Sequence, residues 1–444
     1  MKKLLILFIF CLLICTPSYS KERIGKLSLL IKNSGIPTSS ISISVKNTDT
    51  GKILFSQNDK ILMHPASVQK LLTIIPAADI LGEDYNFETS LYSRGEESYL
   101  LKLSGDPYLK TKELQDLVSS INEKKVKKIY IDDSAIEKKM WGEGWQWDDD
   151  LNPLMPKYNS YNLDSNLMKI TVVSSEKNNG VIILNQNKVP VIFINNVKKG
   201  EINNISVQRN AENLKNTIEL SGTVKSAQTI TIPISNPQLY FNFKLTNALE
   251  NRNIYLKEYF SVSSYKPSDK FIKSIKRPIS EVISDILENS NNMASEILLK
   301  TASAKKYNIT GTDIAGIKLF HEYCKKIGID SSGIRLTDAS GVSKNNLVTT
   351  DFITEYLIKN KDTNVVKYMA KPEKGTLSQR LLPLKDKLRA KTGTLSDISS
   401  LAGYLETKKG NHYSFAIIIN DPKSSSSDKK VLEDYFVREL YLNY

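Results

Sequence analysis

Apolar and polar residues alternate with period two from Ser40 to Val45, placing Ile41, Ile43 and Val45 on one face of a strand. Asp49-Thr50-Gly51 supplies a turn, and Lys52-Ile53-Leu54-Phe55 returns as the second arm of a predicted hairpin. The period then changes. Leu71-Leu72-Thr73-Ile74-Ile75 and Pro76-Ala77-Ala78-Asp79-Ile80-Leu81 make a helical run, opened by His64-Pro65-Ala66-Ser67-Val68-Gln69-Lys70. Beyond Leu81, short strands alternate with turns at Glu88 to Ser93, Ser98 to Ser104 and Lys128 to Asp132, with a helix over Lys112 to Glu123. From Lys169 to Thr231, strand-like runs such as Ile170-Thr171-Val172-Val173 and Val181-Ile182-Ile183-Leu184 are punctuated by Asn, Gly and Lys, which predicts a small all-β insert. Helical texture returns after Ser268, over Ile279 to Leu287, Met293 to Lys300 and beyond, and Gly311 to Ile327. Asp338 to Ser343 reads as a turn, and Ser400 to Leu405 and Tyr413 to Ile419 as strands. Ser424 to Ser427 reads as a flexible loop, and Lys430 to Tyr444 as an amphipathic helix packed on a sheet.

Length and charge narrow the classes. The 444 residues leave room for two or three domains, and 40% hydrophobic with 25% charged residues is ordinary globular composition. The net charge of +13 is spread along the chain and suits anionic surroundings such as a cell wall. No zinc-knuckle spacing and no aromatic-basic interleaving points to a nucleic-acid partner. Met1-Lys2-Lys3, the apolar stretch Leu4 to Cys15 and small residues at Ser18 and Ser20 read as a signal peptide cleaved near Ser20. A retained anchor and lipidation at Cys15 are the alternatives. No later stretch is long and apolar enough to cross a bilayer, so membrane association is expected to be at most peripheral. Cleavage leaves Cys324 without an internal disulfide partner, in an amphipathic helix where packing is its simplest role. His64, His321 and His412 are scattered without zinc-ligand spacing, so neither metal nor cofactor is expected.

The segment that carries chemistry opens the first helical run. Read as a helix, it holds Ser67 on its first turn and Lys70 three residues on, on the same face. A serine hydroxyl is a poor nucleophile until a base sits beside it, and a lysine kept unprotonated by desolvation or a nearby cation is such a base. The free N–H groups at a helix start suit a developing oxyanion. Alone, the same letters describe an N-cap serine with an exposed lysine. Two further elements follow in chain order: Ser290-x-Asn292 on a tight turn between helices, and Lys391-Thr392-Gly393 on a strand that begins a hairpin. Gly393 there lets a substrate backbone approach closely. The stretch Trp141 to Asp150 holds all three tryptophans; it reads most simply as a packed loop, and otherwise as a wall facing substrate.

In this order the three elements resemble the serine penicillin-recognising enzymes. Within them the chain is similar to the class C low-molecular-mass penicillin-binding proteins, the D-alanyl-D-alanine carboxypeptidase/endopeptidase family. Pro65-Ala66-Ser67-Val68-Gln69-Lys70 matches that family's Pro-Ala-Ser-x-x-Lys, and Ser290 to Glu296 resembles its Ser-x-Asn-x-x-Ala-Glu. Gly105-Asp106-Pro107 and Trp145-Gln146-Trp147-Asp148-Asp149 resemble stretches of its inserted region. Asp338-Ala339-Ser340-Gly341 resembles its Asp-Gly-Ser-Gly, and Gly375-Thr376-Leu377 its Gly-Thr-Leu. Asn291 stands where Asp is usual, and Ala339 where Gly is usual.

The resemblance implies an α+β fold: a penicillin-binding/serine β-lactamase-like catalytic domain, an antiparallel sheet flanked by helices, split by a long, mostly β insertion. The expected division is a signal peptide at 1–20, a first part of the catalytic domain at 21–82, inserted accessory domains at 83–268 with a nested β-rich subdomain at about 169–235, and a second catalytic part at 269–444. The implied activity is serine-type D-Ala-D-Ala carboxypeptidase or DD-endopeptidase, exported to the periplasm or cell envelope. Its partners would be peptidoglycan stem peptides and crosslinks, with β-lactams as covalent inhibitors. Ser67 is the implied nucleophile and Lys70 its general base; Ser290 relays a proton to the leaving amine and Asn292 orients Lys70 and the substrate amide. Backbone N–H groups of Ser67 and Thr394 hold the oxyanion. Lys391, with the Thr392 and Thr394 hydroxyls beside Gly393, binds the substrate carboxylate, and Lys391 helps keep Lys70 neutral by like-charge repulsion. Asp149 is a candidate contact for the amino group of diaminopimelate, against the simpler reading of a loop aspartate. A serine β-lactamase shares the three motifs but is usually compact, and a catalytically silent peptidoglycan-binding or penicillin-sensing module is the alternative outside enzymology.

Overall fold

The predicted hairpin is the beginning of a sheet that the end of the chain completes. In the computed structural model, which describes residues 25–175, 180–209 and 216–444, Ile41–Asn47 pairs antiparallel with Ile53–Gln57, Val45 opposite Phe55. The leader expected at 1–20 lies outside the described residues. The antiparallel sheet has five strands in the order Leu388–Thr394, Ile398–Glu406, His412–Asn420, Ile41–Asn47, Ile53–Gln57. Residues Tyr413 to Ile419 are all buried, so both faces of that central strand are covered, and its apolar run is nearly continuous rather than alternating. One face packs Ile41, Ile43, Phe415 and Ile417 with Leu432, Phe436 and Leu440 of the C-terminal helix Ser426–Asn443. Each large apolar side chain buried there contributes about 1.5–3 kcal/mol. The other face carries a polar seam. Ser42 and Ser44 bond the Thr350 and Thr354 hydroxyls at 2.8 and 2.9 Å, one turn apart on the helix Thr350–Lys359.

The chain divides into two compact units. One takes the chain to Pro76, then Ile283–Ser290 and Ile317–Tyr444; the other takes Ala77–Val282 and Asn291–Gly316. The first contains the five-stranded sheet just described. The second contains a mixed sheet in the order Ser261–Val262, Lys128–Asp132, Ser98–Lys102, Asn86–Gly95, Lys270–Pro278. Two three-stranded sheets join it within one core, where Ile131, Ile170 and Leu220 meet Leu114 and Leu117 of the helix Thr111–Val118 and Phe241 and Leu245 of the helix Pro237–Glu250.

Four local expectations are corrected. Lys270–Pro278 is a strand and not the return of helix; it is an edge strand, so its outward lysines dilute the period-two signal. The helix over Lys112 to Glu123 stops at Val118. Pro237–Glu250 is a helix that the periodicity did not announce, although its opening is orthodox: Asn236 Oδ1 accepts from Leu239 N at 3.0 Å and Pro237 follows. Ser424 to Ser427 is no flexible loop, because Ser425 caps the last helix by accepting from Asp428 N at 3.0 Å. Among the tryptophans, Trp141 and Trp145 pack edge to face at 5.2 Å, whereas Trp147 is 87% exposed. Cys324 is buried, and burial pushes its thiol up to about 12. No helix among the described residues is long and apolar enough to cross a membrane.

Candidate active site

Ser67 sits in a single 3-10 turn, Ala66–Gln69, that runs directly into the helix Lys70–Leu81. The turn is tight. Ala66 takes φ +46°, a left-handed conformation that costs a residue with a Cβ of order 1 kcal/mol and is held there by its surroundings. The three-residue spacing keeps Lys70 on the face of Ser67, and Lys70 Nζ donates to Ser67 Oγ at 2.8 Å. Lys70 is fully buried, and Nζ also donates to the carbonyl of Ser340 at 2.8 Å. Ser67 is half-buried.

The strand Leu388–Thr394 lies beside this turn, at the edge of the sheet. Gly393 makes the approach possible: a Cβ there would lie 2.2 Å from Ser400 Oγ, 2.9 Å from Ser67 N and 3.0 Å from Ala66 Cβ. Ser400 Oγ in turn donates to Pro65 O at 2.6 Å, tying the neighbouring strand to the residues before the serine. Lys391 is wholly buried and donates from Nζ to Thr392 O at 2.9 Å. Burial first, and the charge of Lys70 second, hold Lys391 well below the usual lysine range. The repulsion is mutual, so charging either amine raises the cost of charging the other. Thr392 Oγ1 donates to Thr376 Oγ1 at 2.7 Å, and Thr394 is exposed at the strand's end. Gly375, next to Thr376, packs so tightly on the Glu288 carbonyl that an added Cβ would lie 2.1 Å from it. That contact brings the residues just before Ser290 to the motif strand. Ser290 follows the helix Ile279–Asn289 with φ +65°.

Ser67, Lys70, Lys391, Thr392 and Gly393 are thus gathered in the first unit, with Ser290 at the end of one of its segments. Asn292 and Asp149 belong to the second unit. There Asn292 opens the helix Asn292–Tyr307, capped by Asn291, and its Nδ2 donates to Leu154 O at 2.9 Å. Asp149 Oδ1 accepts from Asn152 Nδ2 at 3.2 Å, and Asn152 Oδ1 accepts from Leu154 N at 3.0 Å, so the tryptophan loop reaches Asn292 through three short links. Motif reading assigned no role to Thr376, Ser400 or the Ser340 carbonyl. The glycines at 341, 375 and 393 were the available signal.

The family model for D-Ala-D-Ala carboxypeptidase 3 (S13) matches residues 24–439. The chain belongs to that family. It is 23% identical to the D-alanyl-D-alanine carboxypeptidase DacB of Haemophilus influenzae, over 91% of this chain and 90% of that one. It is 24% identical to the D-alanyl-D-alanine carboxypeptidase of Actinomadura sp. (strain R39), over 85% and 77%. Among solved structures, penicillin binding protein 4 from H. influenzae superposes with a TM-score of 0.83 at 21% identity, covering 94% of this chain and 99% of that one. The fold of this S13 family member is therefore the α+β penicillin-binding fold expected from the motifs, antiparallel sheet and flanking helices included.

Proposed function

We propose that this chain is an exported serine-type D-Ala-D-Ala carboxypeptidase or DD-endopeptidase that works through an acyl ester on Ser67. The observation that carries the reading is the 2.8 Å contact from buried Lys70 Nζ to Ser67 Oγ, beside a strand that only glycine lets come so close. Ser67 Oγ attacks the carbonyl of the penultimate D-alanine of a peptidoglycan stem or crosslink. Its proton passes to neutral Lys70 as the C–O bond forms. The Ser67 and Thr394 N–H groups receive the oxyanion. Collapse of the intermediate breaks the C–N bond, with Ser290 handing a proton to the departing amine, and water then cleaves the ester.

Burial divides the work of the motif strand. Lys391 is enclosed and held toward its neutral form, so it serves the strand as a fixed N–H donor on Thr392 O; the more open Thr394 hydroxyl, with Thr392, meets the substrate carboxylate. A β-lactam presents the same carbonyl and carboxylate and acylates Ser67 by the same route. The leader at 1–20 supplies export, residues 83–268 form the accessory domains, and Asp149 offers a carboxylate to the amine of diaminopimelate. Digestion of purified muropeptides decides the reading. Release of D-alanine from pentapeptide, or conversion of crosslinked dimers to monomers, by the wild type and not by Ser67→Ala supports it. Loss of neither substrate overturns it.

A further inference from the structure

Six donors converge on one buried carboxylate next to the candidate base. Asp338 Oδ1 accepts from Gly341 N at 2.9 Å, Asn346 Nδ2 at 2.8 Å and Gln69 Nε2 at 3.1 Å. Oδ2 accepts from Ser340 Oγ at 3.0 Å, Val342 N at 3.0 Å and Ser343 N at 2.9 Å. Asp338, Ser340, Asn346 and Gln69 are each at most 1% exposed. The carboxylate therefore fixes the whole turn from 338 to 343, as buried anions do when several backbone N–H groups share them.

That turn is fastened to the Ser67 segment at three more points. Gln69 Nε2 donates to the Asp338 carbonyl, and Thr73 Oγ1 donates to Ala339 O at 2.8 Å. Gly341, at φ +82°, packs on the residue before the nucleophile, where an added Cβ would lie 2.0 Å from Ala66 O. What the turn presents is the Ser340 carbonyl, which accepts from Lys70 Nζ at 2.8 Å.

The use of that carbonyl follows from the chemistry of an amine base. Neutral Lys70 has two N–H bonds and one lone pair, and the lone pair must face the Ser67 hydroxyl for its proton to pass. An N–H held on a fixed carbonyl sets the rotation about Cε–Nζ and turns the lone pair toward Oγ. When the proton arrives, the same carbonyl accepts a stronger bond from the ammonium. We propose that Asp338, acting through the Ser340 carbonyl, positions Lys70 for proton transfer. It is a positioning residue that never meets substrate, and the proposal rests on the roles given above to Ser67 and Lys70.

The test separates acylation from binding. Asp338→Asn keeps the volume but turns an NH2 group toward a set of donors. Gln69→Met keeps the length, cuts both Gln69 bonds to Asp338 while leaving the Thr73 bond to Ala339 O, and removes Gln69 Oε1, which is buried without a partner, so this variant should retain the fold. Stopped-flow mixing with a fluorescent penicillin gives the non-covalent dissociation constant and the acylation rate constant; thermal unfolding is recorded on the same samples. The expected result is acylation slowed about 10²-fold in Asp338→Asn and about tenfold in Gln69→Met, with non-covalent binding within about threefold of wild type. A purely structural role lowers the unfolding temperature and leaves the acylation of folded protein unchanged. Acylation within about threefold of wild type in folded Gln69→Met overturns the proposal, even if Asp338→Asn fails to fold. A wild type that takes no penicillin at all overturns the Ser67 reading itself, and the positioning role with it.

Discussion

Replacing Gly393 with alanine perturbs the candidate site without removing a polar group. The new methyl would stand 2.2 Å from Ser400 Oγ and 2.9 Å from Ser67 N. Non-bonded heavy atoms settle at about 3.5 Å, so about 1 Å of movement is required. Little of it can come from Ser400, whose Oγ is held on Pro65 O at 2.6 Å. The edge strand Leu388–Thr394 or the turn carrying Ser67 must shift instead. A displacement of about 1 Å at a reacting centre costs about 10²-fold in rate, which is about 2.7 kcal/mol of barrier. Overpacking costs a further 1–3 kcal/mol or so of stability. The assay is the second-order rate constant for acylation by a fluorescent penicillin, read on protein shown to be folded by its thermal transition. We expect about 10²-fold slower acylation in Gly393→Ala. Adding Ser400→Ala should restore part of it, because the tightest contact goes while that with Ser67 N stays. Acylation within about threefold of wild type in folded Gly393→Ala would refute the claim that this strand approaches the nucleophile so closely.

Three further outcomes are expected. Arg380 bonds Glu433 and Asp434 at 2.7 Å each, and Glu433 is fully buried with its carboxyl raised by that burial. Arg380→Ala strands the buried acid and should cost about 3–5 kcal/mol in urea unfolding; a loss under about 1 kcal/mol would contradict the pairing. Burial raises the Asp106 carboxyl to about 6, against the Tyr108 N–H and the Arg277 guanidinium that favour the ion. The folded state then holds that proton more tightly than the unfolded chain, whose carboxyl titrates near 3.9. Its stabilising contribution is complete below about pH 3.9 and is lost as the pH rises through about 6. Between about pH 4 and 7 the wild type should lose up to about 3 kcal/mol relative to Asp106→Asn, and parallel stability–pH curves for the two would sink the assignment. The Cys324 thiol, buried and pushed up to about 12, should react with a chromogenic disulfide reagent only after denaturation. Rapid labelling of native protein at about pH 8 would show it accessible.

What was legible in the sequence is what is local. The hairpin from Ile41 to Gln57 declares itself by its alternation and its Asp-Thr-Gly turn, and Ser67 with Lys70 by their spacing. The pairing of the first strand with the last is not local: Ile41 meets Ile419 across most of the chain, and no period records such a partner. The helix Thr350–Lys359 went unannounced although Phe352, Ile353, Tyr356 and Leu357 recur at helical spacing and are buried. Its Thr350 and Thr354 hydroxyls answer Ser42 and Ser44 across the sheet, a pairing that no period in the sequence records. Lys270–Pro278 was misread because a half-exposed edge strand shows little contrast between its faces. In the site, the motifs named the proposed nucleophile, its proposed base and the neighbouring strand. The contribution of the turn at Asp338 lies in a backbone carbonyl, which has no letter of its own; Gly341, packed against Ala66 O, is its nearest trace in the sequence.

The central claim is that Ser67 is a nucleophile deprotonated by Lys70. Intact-mass spectrometry of the protein and of Ser67→Ala, each mixed with a penicillin, tests it most directly. The account predicts a single added drug mass on the wild type, absent from Ser67→Ala. An adduct on both proteins, or on neither, would contradict it.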